Sequence, residues 1–179
     1  ADNNKTTKYL FKTIDNNFIE SVSMIDQANR HTVCISSQSG CNLGCDFCAT
    51  AKMGLMQNLS AGEIIDQLII IRNLSIHPIN NVVYMGMGEP FLNYDNVIKS
   101  ANIINDKKGF NISYNKITIS TVGIVPKIEQ FINDKIKYRL AISLNAPNNI
   151  IRDMIMPINK KWPIEDLISM NKLYAKQYK

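Results

Sequence analysis

From His31 onward the sequence alternates short apolar runs with longer amphipathic segments, and this alternation constrains the fold more than any other feature. His31-Thr-Val-Cys-Ile-Ser36, Asn81-Val-Val-Tyr-Met85, Lys116-Ile-Thr-Ile-Ser-Thr121 and Tyr138-Arg-Leu-Ala-Ile-Ser-Leu144 are short and rich in β-branched residues, as strands are. Asn58-Leu-Ser-Ala-Gly-Glu63 opens a helix, with Ser60 as N-cap, Glu63 closing a capping box and Leu59 as the outer half of a hydrophobic staple. That helix carries Ile64, Ile65, Leu68, Ile69 and Arg72 along one wide face. A second helix runs from Tyr94 to Asp106, with Val97, Ile98, Ala101 and Ile104 on one side and Gly109 at the exit. A short third spans Val125 to Phe131, with Pro126 in its first turn. Asn148 to Met154 predicts a brief helical excursion. A last helix starts near Trp162 and runs to about Lys176, with Ile164, Leu167, Ile168 and Leu173 inward.

The resulting β-α-β-α-β-α-β-α order predicts an α/β fold whose parallel strands are buried by helices on both faces and joined by right-handed crossovers. Four units do not close an eight-unit barrel. No G-x-G-x-x-G follows the first strand, so a dinucleotide-binding fold is disfavoured. Ahead of the alternation, Tyr9–Ile14 and Phe18–Ile25 flank Asp15-Asn-Asn17 and predict a β-hairpin. Residues 1–30 therefore read as a hairpin extension and residues 31–179 as the core.

All four cysteines fall between His31 and Thr50. Cys41, Cys45 and Cys48 follow a C-x3-C-x2-C spacing, with Cys34 one short segment upstream. Thiols grouped this tightly point to metal or cluster chemistry. Three thiolates leave one iron of a four-iron, four-sulfur cluster without a protein ligand, free to take a substrate or cofactor. Structural zinc is the main competing reading, and its fourth ligand would have to be Cys34, His31 or His77. A disulfide framework suits smaller chains in oxidising compartments, and simple core cysteines are a further reading. Gly40 and Gly44 would let the loop wrap closely around an inorganic core, or form ordinary turns.

Functional loops of parallel α/β folds gather beyond the strand C-termini. Here those positions hold the cysteine loop, Gly86-Met-Gly-Glu-Pro90, Ser120-Thr-Val-Gly123 and Ser143-Leu-Asn145. With 45% hydrophobic residues the chain can bury a sizeable core, and 20 Lys and Arg against 15 Asp and Glu fit an RNA-facing protein without identifying one. The longest apolar run, around Leu68-Ile-Ile-Ile71, is too short to span a bilayer, which predicts a cytoplasmic protein without a membrane segment. The missing initial Met and the lack of a closing element after Tyr178-Lys179 suggest part of a longer chain.

The cysteine loop, with Phe47 before its last cysteine, resembles the signature of radical S-adenosylmethionine (SAM) enzymes. From about Glu20 to Lys176 the sequence is similar to the adenine-C2 RNA methyltransferases of the RlmN type, with the Cfr methyltransferases as near relatives. The resemblance implies a partial (β/α) barrel of the radical SAM type with an N-terminal β-hairpin extension. It also implies a [4Fe-4S] cluster on Cys41, Cys45 and Cys48, and SAM as second cofactor. Gly88 and Glu89 match the pair that holds the SAM amine. Ser120, Ser143, Leu144 and Asn145 match SAM-contacting positions, although His is commoner where Asn145 stands. Glu20 matches the proposed acid–base carboxylate. Cys34 matches the cysteine that resolves a protein–RNA adduct by attacking a methyl-carrying cysteine, expected well after Lys179, to form a disulfide bond. The expected substrates are 23S rRNA and tRNA, methylated at carbon 2 of adenosine. An electron donor such as flavodoxin or ferredoxin and a monomeric state complete the expectation. Methylation at carbon 8, as in Cfr-like enzymes, and a non-catalytic zinc-binding RNA-binding module are the alternatives.

Overall fold

The computed structural model describes residues 5–178, so residues 1–4 of the expected extension and residue 179 lie outside the described part. Eight strands and six α-helices follow in order: β1 (Lys5–Lys12), β2 (Phe18–Ile25), β3 (His31–Cys34), β4 (Gln38–Cys41), α1 (Ala49–Lys52), β5 (Gly54–Asn58), α2 (Ala61–Leu74), β6 (Asn81–Tyr84), α3 (Tyr94–Asn105), β7 (Ile117–Thr121), α4 (Val125–Asn133), β8 (Arg139–Ile142), α5 (Asn149–Ile155) and α6 (Ile164–Gln177). The main sheet has the order β1-β2-β3-β6-β7-β8. The hairpin β1–β2 pairs antiparallel with itself and with β3, and β3, β6, β7 and β8 run parallel. The sheet does not close into a barrel. Its hairpin turn places Asn16 at φ +63°, a left-handed conformation that Asn tolerates well.

One expectation fails here. The sheet is covered by helices on one face only. Alternate strand residues, Val33, Ile35, Val82, Tyr84, Ile117 and Ile119, are fully or almost fully buried and pack with Ile64, Leu68, Val97, Ile104, Ile128 and Phe131 of the helices. Each such aliphatic side chain removed from water contributes about 1.5–3 kcal/mol. The intervening residues form the other, less covered face. A single rung of partners crosses all six strands on that side: Lys8, Val22, Cys34, Val83, Thr118 and Arg139. None of these six is fully buried. Apolar strands of four or five residues cannot reveal by composition whether one face or both is covered, because Val and Ile serve a half-covered surface equally well.

The start of α2 forms as its sequence dictates. Ser60 Oγ accepts the Glu63 N–H at 3.2 Å and Glu63 Oε2 accepts the Ser60 N–H at 2.9 Å, while Leu59 and Ile64 are both fully buried. Gln67, on the inward side of α2, replaces backbone partners that the sheet does not supply. Its Oε1 accepts from Ser21 Oγ at 2.6 Å and from the Ser36 N–H at 2.9 Å, and its Nε2 donates to the Ser36 carbonyl at 2.9 Å. This side chain therefore ties β2 and the segment after β3 to the helix.

Two further readings are corrected. Within α6 the buried stripe is Ile164 and Leu167, continued by the partly buried Met170 and Tyr174, whereas Ile168 and Leu173 are nearly half exposed. Tyr174 decides the register, its ring tilted 46° to that of Phe131 of α4 with centroids 6.1 Å apart and its hydroxyl donating to the Tyr138 carbonyl at 2.7 Å. The start of the cysteine segment is also a strand rather than a free loop, because β4 pairs antiparallel with β5 in a second small sheet. Gly40 sits at the irregularity in that pairing with φ +76°, and a Cβ there would lie 1.8 Å from the Gly54 carbonyl oxygen. Its lack of a side chain serves strand pairing, not an inorganic core.

Candidate cofactor site at the strand ends

Strand direction brings the candidate residues together. Beyond β3 the chain passes through β4 into the cysteine turn, and beyond β6, β7 and β8 it passes through Gly86–Pro90, Val122–Gly123 and Ser143–Asn145. One cleft is lined by Cys41, Cys45, Cys48, Gly88, Glu89, Ser143 and Asn145, together with Leu43, Phe47, Gly86 and Val122. Ser120 is not in its lining but joins it through Ser143, hydroxyl to hydroxyl at 3.2 Å. Leu144 is exposed and contributes its carbonyl to the scaffold behind the cleft. Cys34 and Glu20 are outside the lining. Both lie on the less covered face of the sheet, Cys34 in the six-residue rung and Glu20 two residues from its neighbour Val22.

All four cysteines are free, and the partner expected for a Cys34 disulfide, a cysteine expected after Lys179, is outside this sequence. Cys41 and Cys45 are buried and Cys48 is half-buried. Burial pushes the Cys45 thiol up to about 11, the charges of Cys41, Cys48 and Glu89 add to this, and the positive charge of Arg152 opposes it. Cys41 is raised by burial first, with Glu89 and Cys48 adding and backbone N–H groups of Leu43 and Asn42 opposing. Among the described residues no three His, Cys, Asp or Glu side chains converge as a single bound ion requires. The donor chemistry fits a larger group: three sulfurs on one cleft wall, whose mutual repulsion would be relieved by positively charged iron between them.

Glu89 is only 2% exposed and is placed by the strand ends around it. Its Oε1 accepts the Phe91 N–H at 3.0 Å and its Oε2 accepts the Val122 N–H at 2.9 Å. Burial nonetheless dominates and pushes the carboxyl up to about 7, against the lowering effect of Val122, Thr121 and Phe91. A group held at the edge of ionisation in a cleft has unused capacity for a cation. Its backbone is fixed by Gln38, whose Oε1 accepts the Glu89 N–H at 2.7 Å. Gly88, at φ +95°, passes so close to Gln38 that a Cβ would lie 2.8 Å from the Gln38 backbone nitrogen. Asn145 is at φ +57°. Asn and His are both among the residues that tolerate this left-handed region, which accounts for either being acceptable at this turn.

Cys34 and Glu20 sit in different surroundings. Burial pushes the Cys34 thiol up, opposed in part by a hydrogen bond from the Met85 backbone, so its described neighbours do not favour a thiolate. Glu20 is ion-paired with Lys8 at 2.6 Å, both side chains being substantially exposed. Gln38, Gln67 and Arg152 were not singled out by sequence reasoning. Gln67 carries a legible signal, a polar residue at an inward helix position, whereas Arg152 beside Asp153 in a short segment reads as surface.

Comparison with known proteins agrees with this geometry. The profile of the radical SAM superfamily matches residues 35–175. The chain belongs to the radical SAM superfamily. Within this superfamily it is 53% identical over 175 residues to a protein of Dictyoglomus thermophilum named probable dual-specificity RNA methyltransferase RlmN, covering 96% of this chain and 50% of that protein. The protein of the same name from Fervidobacterium nodosum is 52% identical, with 96% and 49% covered. The crystal structure of a radical SAM methyltransferase from Sphaerobacter thermophilus superposes with a TM-score of 0.90 at 40% identity, over 97% of this chain and 51% of that one. The resemblance to the RlmN type therefore holds across nearly the whole chain, which spans about half the length of the curated relatives it matches.

Proposed function

We propose that this chain is the radical SAM core of an enzyme that methylates carbon 2 of adenosine in 23S rRNA and tRNA. The observation that carries the proposal is the convergence of Cys41, Cys45, Cys48, Gly88, Glu89, Ser143 and Asn145 on one cleft at the strand ends. Cys41, Cys45 and Cys48 would hold a [4Fe-4S] cluster. Glu89 and the Gly88 carbonyl would accept hydrogen bonds from the SAM amine, and Ser120, Ser143 and Asn145 would bind its carboxylate and ribose hydroxyls, with Leu144 beside them. Together the two cofactors supply one-electron cleavage of a sulfonium, which opens a radical route to an aromatic carbon that is not nucleophilic. The protein's part would be to orient SAM and to keep water out, which the buried Glu89 and the partly buried, apolar Leu43 of the cleft favour.

Glu20 is proposed as the acid–base group and Cys34 as the resolving cysteine, since both face the side of the sheet away from the helices. The hairpin extension of residues 1–30 and the core of residues 31–179 belong to the same reading, as does a cytoplasmic, monomeric enzyme served by flavodoxin or ferredoxin. Among the described residues no helix is long and apolar enough to cross a membrane. The formal charge of +5 suits an RNA substrate.

The test is the position of the methyl group. RNA treated with the reconstituted full-length enzyme, which includes the methyl-carrying cysteine expected after Lys179, together with SAM and a low-potential reductant, is digested to nucleosides and chromatographed against standards. The expected product is 2-methyladenosine in both rRNA and tRNA. 8-Methyladenosine would assign the Cfr-like reaction instead, and unmodified RNA with intact SAM would contradict an enzymatic role.

A further inference from the structure

Helix α5 carries a charge that the proposed chemistry does not yet use. Arg152 is completely buried. Its Nη2 donates to the Val122 carbonyl at 2.6 Å and the Ser143 carbonyl at 3.3 Å, its Nε to the Leu144 carbonyl at 3.0 Å, and its Nη1 to Asn159 Oδ1 at 2.8 Å. Every one of these acceptors is neutral. The ion pairs among the described residues, Lys8–Glu20 and Arg30–Asp26, do not include it. Asp153, the carboxylate next in the network, accepts from Asn159 Nδ2 at 2.6 Å rather than from the guanidinium. A guanidinium stays protonated in proteins, so a full positive charge is buried here without a carboxylate against it. Holding two loops together does not need a charge, and an unpaired buried charge is costly. The arrangement is explained if a negative group completes it.

The place where such a group would sit is the cysteine cleft. The Asp46 N–H donates to the Ile155 carbonyl of α5 at 2.9 Å, so the helix is joined directly to the turn between Cys45 and Cys48. Pro157, just beyond α5, lies against Gly44, where a Cβ would stand 3.8 Å from its ring. Val122 and Ser143, whose carbonyls the guanidinium holds, line the same cleft as the three cysteines.

From this geometry we infer that Arg152 is the fixed internal counter-charge of the cysteine-bound cluster and raises its reduction potential. The inference rests on Cys41, Cys45 and Cys48 being the cluster ligands. Charge balance gives its direction. Three thiolates around a core of charge +2 leave a net charge of −1. One electron from a low-potential one-electron carrier makes the net charge −2, with no bond made or broken and no proton moved. A fixed positive charge behind the cleft stabilises the −2 state more than the −1 state, so it makes the electron easier to accept.

The test is a potentiometric titration of the reconstituted protein followed by electron paramagnetic resonance, with iron content and melting temperature as controls. Arg152→Gln, which removes the charge, is expected to lower the ratio of reduced to oxidised cluster about tenfold at a fixed poise, a shift of about 59 mV to more negative potential. Arg152→Lys keeps the charge with fewer hydrogen bonds and should stay near the wild type. Asp153→Asn removes the neighbouring negative charge, retains an oxygen to accept from Asn159, and should shift the potential in the opposite direction. A purely structural role would move the Gln and Lys variants together, and equal potentials for those two overturn the inference. If Arg152→Gln takes up no cluster, an unchanged potential in Asp153→Asn overturns it instead. A wild type that takes up no cluster removes the ligand assignment and this inference with it, whereas a wild-type cluster indifferent to Arg152 contradicts the inference alone.

Discussion

Glu89 combines full burial with two backbone N–H donors, and its carboxyl sits near 7 instead of its ordinary 4.5. Because the folded state holds the proton more tightly than the unfolded chain, the stability from this group is complete below about pH 4.5. It is lost as pH rises through 7, by about 3 kcal/mol. A bound ammonium group reverses the balance by favouring the carboxylate. SAM binding near and below pH 7 should therefore release a proton from wild-type protein, read as a calorimetric enthalpy that varies with the ionisation heat of the buffer. Glu89→Gln should abolish that dependence and weaken binding by about 1.5–3 kcal/mol, since an amide nitrogen would also face a backbone N–H. Unchanged affinity would remove Glu89 from the site. Cys34 is argued from its face of the sheet, since burial raises its thiol and does not by itself favour the attacking thiolate. In the full-length enzyme, Cys34→Ala should leave the cluster intact and SAM cleavage unaffected, but should accumulate RNA covalently bound to protein, visible as a slow band on denaturing gels. Normal release of methylated RNA would make Cys34 a simple sheet residue. The spacing of Cys41, Cys45 and Cys48 was readable because the three cysteines lie within eight positions of one another. Gln38 and Arg152 were not, because Glu89 lies 51 positions from Gln38 and Val122 lies 30 from Arg152, and only the fold brings them near.

At the scale of elements, local signals were legible and long-range pairings were not. The capping box of α2 is encoded within four residues, Ser60 to Glu63, and forms as expected. The β4–β5 pair joins segments whose short, polar and glycine-containing sequences carry no strand alternation, so only the completed fold reveals it. It also explains two glycines differently. A Cβ on Gly40 would meet the Gly54 carbonyl at 1.8 Å, whereas one on Gly54, at φ +72°, meets nothing within 4 Å. Gly54→Ala should therefore cost only the left-handed backbone strain, about 1–2 kcal/mol. Gly40→Ala must also part β4 from β5 and displace Cys41, and thermal unfolding with cluster uptake should show the larger loss. Equal effects would mean that the pairing does not govern the cysteine turn. In α6 the apolar residues allow more than one inward stripe, and the choice of Met170 and Tyr174 over Ile168 and Leu173 is made by the Tyr138 carbonyl and Phe131, which the local sequence does not contain.

For the whole molecule, the order of strands and helices was legible because each unit is local, while the one-sided covering of the sheet was not. That covering matters for function. All four parallel strands deliver their C-terminal loops to one end, and the face without helices carries the rung of Cys34 and its neighbours. On the proposed reading, SAM and the cluster would lie at the strand ends and RNA would approach the open face beside them. Its central claim is that Cys41, Cys45 and Cys48 together hold one iron–sulfur cluster. The most direct measurement is iron and acid-labile sulfide after anaerobic reconstitution, set beside the Cys→Ala variants. Wild type and Cys34→Ala should each bind about four irons and four sulfides per chain, and Cys41→Ala, Cys45→Ala and Cys48→Ala should bind neither in stable form. Stoichiometric zinc that survives the iron and sulfide treatment, or a cluster that persists without any one of the three cysteines, would contradict it.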